Sequence, residues 1–147
     1  MILNLLTSQF EIKGEIKNKK IRLEMIVPEK GHVTTATLPS TVDLLNEYLP
    51  SIFNCQCFNE QNKDFVEESR NTELGHLFEH IMLEYLCIEK LDSGFQDASY
   101  EGRTNWNWEK DKEGVFYIEI LAGNSTNKII ENAFGKSVNL LNKIILD

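Results

Sequence analysis

The segment from Asn71 to Leu91, NTELGHLFEHIMLEYLCIEKL, constrains the fold more than any other part of the chain. Leu74, Leu77, Phe78, Ile81, Tyr85 and Ile88 recur at three- and four-residue spacing, the pattern of a long amphipathic helix, here expected over Thr72 to Leu91. On such a helix His76 and His80 stand one above the other, four residues apart, so their imidazoles can aim at one point. Taking Leu74 as zero and about 100° per residue, the apolar stripe centres near zero, with Glu79, His76 and His80 at roughly 140°, 200° and 240°. Leu83 and Cys87 share that second face, so a further element is expected to roof it.

Two imidazoles at this spacing are what a zinc ion requires of a helix, and Glu79 lies close enough to hold a water without ligating. His-x-x-Glu-His is the inverted form of the zincin signature, in which the glutamate is the general base for attack on a carbonyl. The competing reading is a core helix that happens to carry histidines. A catalytic site needs a third protein ligand and one position open to water. Glu131, on the flank of the last helix beside Gly135, is the expected third ligand; the alternative is a first-turn charge favoured by the helix dipole. Glu84 lies too far along the axis from His76 and is expected to support the site or contact substrate. Cys55 and Cys57 could instead join the histidines in a structural Cys₂His₂ site, although their one-residue gap is short and Glu79 would then have no role.

The rest of the chain frames this helix. Met1 to Ser8 and Lys20 to Val27 read as strands, as does VFYIEIL; Ser40 or Thr41 caps a helix through VDLLNEYL, and a short helix lies around Asp64 to Ser69. Asn124, Ser125 or Thr126 caps a final helix over Lys128 to Leu146, striped by Ile130, Ala133, Phe134, Val138, Leu141 and Ile144. Gly94 to Gly114 reads as a long polar loop carrying Trp106 and Trp108, which either cover a core edge or stack on cationic groups. The expectation is one α+β domain: a small, mostly antiparallel sheet packed against the histidine helix and the C-terminal helix.

Composition narrows the function. The 147 residues suffice for one continuous core, and no apolar run approaches a membrane span. A formal charge of −8 disfavours nucleic acid, whose phosphates require a basic face; Lys17, Lys19, Lys20 and Arg22 read as a solvated turn and strand start. The first residues lack the pattern of a signal peptide, and three cysteines suit free thiols in a reducing compartment, so a cytoplasmic location is expected.

FVEESRNTELGHLFEHIMLEYL, followed by KLDSGF, GRT and EGVFYIEI, with LPSTVDLLNEYLPSIFNCQC before it, resembles the N-terminal domain of cyanophycin synthetase over roughly residues 38 to 147. Cyanophycin is a polyaspartate whose side-chain carboxylates carry arginine. The resemblance implies a domain that anchors this polymer for separate ATP-grasp and Mur-ligase-like domains, and that in some members also cuts it at a zinc-dependent site. It implies His76 and His80 as metal ligands, Glu79 as base, and Arg103 and Thr104 near the site or the polymer groove. Arg103 is the candidate for stabilising an oxyanion or gripping a carboxylate, against a surface ion pair with Glu101 or Glu113. No Gly-x-x-x-x-Gly-Lys phosphate loop occurs, so the chain is expected to be a stand-alone relative or an excised domain.

Two functions follow as expectations. One is a zinc-dependent amide hydrolase acting on cyanophycin or a related peptide polymer. The other is a non-catalytic polymer-binding module. Either is compatible with a homo-oligomer or with association with ligase domains.

Overall fold

The computed structural model describes residues 1–54, 64–96 and 98–147. Strands β1 (Ile2–Leu6), β2 (Glu11–Lys17) and β3 (Lys20–Ile26) form a meander; β4 (Glu101–Asn105) and β5 (Val115–Leu121) complete an antiparallel sheet of order β1-β2-β3-β5-β4. The β2–β3 turn is Asn18-Lys19 with φ of 54° and 62°, the mirror-image conformation that a two-residue hairpin requires. The lysines around it belong to this turn and its strand ends, as their spacing suggests.

Among the described residues four α-helices accompany the sheet: α1 (Thr41–Tyr48), α2 (Phe65–Ser69), α3 (Leu74–Asp92) and α4 (Asn127–Leu146). Asp64 caps α2 by accepting the Glu67 amide at 2.8 Å, and Thr126 caps α4 by accepting that of Ile129 at 3.3 Å. Ser40 precedes α1 without a side-chain cap bond. No helix among the described residues is long and apolar enough to cross a membrane.

Alternation along the strands sends Leu3, Ile12, Ile21, Leu23, Met25, Phe116, Ile118 and Ile120 to one face, where they are buried in one core with residues of α3, which packs on β4 and β5, and of α4, which packs on α3. The other face is open. There the cross-strand register sets Glu15, Arg22, Glu119 and Arg103 side by side. Glu119 forms ion pairs with both arginines at 3.3 Å and accepts a hydrogen bond from Arg103.

Two strands depart from the expected order. EIKGEIK forms β2, and EGRTN, inside the expected loop, forms β4. Each shows water much of its length, and β4 contributes only the half-buried Thr104 to the covered side, so neither carries the apolar run that marks a buried strand. The tryptophans that follow β4 cover a core edge: Trp106 and Trp108 sit 5.7 Å and 5.6 Å from the Phe116 ring, and Trp108 donates to the Val115 carbonyl.

Candidate metal-dependent hydrolytic site

Helix α3 is seated by a missing side chain. A Cβ on Gly75 would come within 2.3 Å of Phe116 on β5, so only glycine lets the helix lie this close to the sheet. One turn later Glu79 rests against β4. Gly102 leaves room for its Cγ, and the Thr104 hydroxyl donates to its Oε1 at 2.7 Å. At 5% exposure the Glu79 carboxyl is deep in the protein, and burial raises its pKa; the Thr104 hydrogen bond and His76 pull the other way.

Further round the helix, His76 and His80 bring their Nε2 atoms to 3.0 Å, with the rings at 88°. Two nitrogens bound to one tetrahedral zinc at ~2.0–2.1 Å lie about 3.4 Å apart, so the pair stands within a few tenths of an ångström of a chelating separation. His76 Nδ1 is 2.8 Å from the Thr72 hydroxyl, with Glu68 at 3.8 Å. An Nδ1–H directed at those oxygens leaves the His76 Nε2 lone pair facing the His80 ring nitrogen, the position from which it would ligate a metal.

His80 is 7% exposed, and Phe65 of α2 packs on it at 4.7 Å. The expected roof over this face is therefore present. Burial first, and the neighbouring His76 second, push the His80 pKa down to about 3, so the ring is neutral at physiological pH and keeps a lone pair. Its Nδ1 is buried with no hydrogen-bond partner among the described residues.

Three expectations need correction. Arg103 neighbours Thr104 on β4, and successive strand residues face opposite ways. Thr104 reaches Glu79 on the covered face, while Arg103 pairs with Glu119 on the open one. The oxyanion role given to Arg103 does not fit this placement, and its ion pair is with Glu119 rather than Glu101 or Glu113. Glu131 is exposed on α4, which meets α3 through Phe78–Phe134 and Glu89–Lys136, roughly 160° around the helix from His80. Among the described residues no three His, Cys, Asp or Glu side chains form a set able to hold a metal, so Glu131 does not complete the shell. Gly135, beside Glu131 on that helix, has nothing within 4 Å of where a Cβ would lie, so among the described residues no neighbour is seated against its missing side chain.

Glu84 is half-buried one turn beyond His80, and its charge helps raise the Cys87 thiol pKa, after burial. Cys55 and Cys57 lie outside the described residues. Thr72, Glu68 and Phe65 surround the histidines without having been singled out from sequence. Thr72, four residues before His76, carried the one local signal.

The chain matches the family model of the cyanophycin synthase-like N-terminal domain over residues 21–145. It belongs to that family. The match takes in β3 except Lys20 and everything from α1 to α4 except Leu146, and leaves the β1–β2 hairpin outside. No curated protein matches the chain.

Proposed function

We propose that this cyanophycin synthase-like domain is a zinc-dependent hydrolase of amide bonds in cyanophycin or a related peptide polymer. The observation that carries the reading is the convergence of His76 and His80 Nε2 beside a buried, hydrogen-bonded Glu79. His76 and His80 would hold the metal, which when bound would acidify a water and polarise the scissile carbonyl. Glu79 takes the proton of the attacking water and delivers it to the leaving nitrogen. Burial suits it to this exchange by bringing its pKa toward the working pH. Thr104 fixes one carboxylate oxygen so that the other is presented to the reaction. Phe65 over His80 keeps bulk water from the pair.

A second reading has an observation of its own. Without a third ligand among the described residues, the histidines serve as structure, and the domain binds the polymer without cutting it. Incubating zinc-loaded protein with cyanophycin and following release of shorter chains separates the two. Cleavage that Glu79→Gln abolishes while zinc stays bound supports the hydrolase. Polymer binding with no cleavage by the zinc-loaded wild type overturns it.

A further inference from the structure

The sheet ends at β4, beside Glu79. Among the described residues the strand order leaves one edge of β4 unpaired, and the bonding parity of the sheet shows what that edge offers. Ala122 donates to Lys19, and Val27 donates to Gly114, so even-numbered residues of β5 direct their main-chain groups to β3. Odd-numbered residues of β5 therefore face β4, and the register pairs them with Glu101, Arg103 and Asn105. Gly102 and Thr104 are left with their N–H and C=O groups directed at the free edge. No main-chain bond among the described residues takes them up outside the sheet ladder.

These are the same two residues that flank Glu79. The order of elements past the helix explains why this matters. Around α3, Gly75 faces Phe116 of β5, and Glu79, roughly 40° further, faces β4. His76 and His80 follow roughly 60° and 100° beyond Glu79. The sheet proceeds the same way, from β5 to β4 to the free edge. A sixth strand, about 4.8 Å beyond β4, would run alongside the face of α3 that carries the two histidines.

We infer that the free edge of β4 seats substrate as an added strand: an extended α-peptide main chain pairs with Gly102 and Thr104, and so brings a main-chain amide to Glu79, His76 and His80. The inference deepens the hydrolase reading and takes from it only that the ligand is a peptide polymer. It selects a main-chain amide over a side-chain isopeptide, because strand pairing needs donors and acceptors at regular main-chain spacing. Gly102 serves both partners, since it has no side chain to stand between an incoming strand and Glu79.

The test is amide hydrogen exchange by NMR on the intact, metal-free chain, with a short arginine-bearing polyaspartate as probe. On saturation, exchange at Gly102 and Thr104 slows by more than about tenfold, while Arg103, already bonded to β5, changes little. The same probe N-methylated on every main-chain nitrogen no longer binds. The inference is overturned if the probe does not bind, if it binds without protecting Gly102 and Thr104, or if the methylated probe binds equally well. It is also overturned if protection grows with protein concentration in the absence of probe, which would mean pairing of two copies. Protection at β4 without cleavage by the zinc-loaded protein would sink the hydrolase and leave the strand seat standing.

Discussion

Replacing Gly75 by alanine tests how α3 is seated, and with it the placement of every residue in the site. The new methyl would lie 2.3, 2.5 and 2.7 Å from Cγ, Cδ1 and Cβ of Phe116, where ~3.5–4.0 Å is comfortable. Phe116 cannot swing aside cheaply. Its Cβ is tied to the backbone of β5, it is fully buried, and its ring supports Trp106 and Trp108. The helix must move, at the upper end of the ~1–3 kcal/mol that overpacking costs. Alanine returns about 1 kcal/mol through helix propensity, so the net loss is about 2 kcal/mol. For a chain of this length that corresponds to a fall in Tm of roughly 6–8 °C. Urea unfolding followed by tryptophan fluorescence reads it directly, and adding Phe116→Leu recovers part of the loss. A Gly75→Ala variant as stable as the parent, or more stable, would refute the close seating of α3 on β5.

Two further outcomes follow from the electrostatics. Thr104→Val keeps the shape of the side chain but removes the donor to Glu79 Oε1; stability falls by about 1–3 kcal/mol above the Glu79 pKa, and that pKa rises further, measured by NMR titration of the carboxyl carbon. In metal-free protein, His80 binds fewer protons folded than unfolded between about pH 3 and its unfolded value near 6.5, so its contribution to stability is complete above 6.5 and is lost as pH falls toward 3. The slope approaches about 1.4 kcal/mol per pH unit, and His80→Leu removes it in urea unfolding across that range. Glu79 acts oppositely, with a contribution that is lost as pH rises through its elevated folded value, and Glu79→Gln isolates the two.

Helices α3 and α4 were legible because their apolar residues repeat over five turns. Strands β2 and β4 were not. β4 is five residues long, mostly exposed, and contains a glycine, so its sequence resembles the loop around it. That single omission produced the error at Arg103. Once EGRTN is a strand, Arg103 and Thr104 must face opposite ways, and Thr104 becomes the neighbour of Glu79.

The core of the site was legible for the same reason as the helix that holds it. His76, Glu79 and His80 are related by local geometry alone, whereas a third ligand depends on which elements meet around α3. Nothing in the spacing of Glu131 could reveal that α4 packs on the far side of that helix. Nor could it reveal that Phe65 of α2 closes over His80.

The most direct test of the metal site is an equilibrium zinc titration of the chelator-treated chain and of its His76→Ala and His80→Ala variants, with folding checked by circular dichroism. The account predicts one zinc per wild-type chain, and in each folded variant a loss of affinity beyond the ~10–100-fold that removing an outer supporting group costs. No stoichiometric zinc, or zinc bound equally well without either histidine, would contradict it.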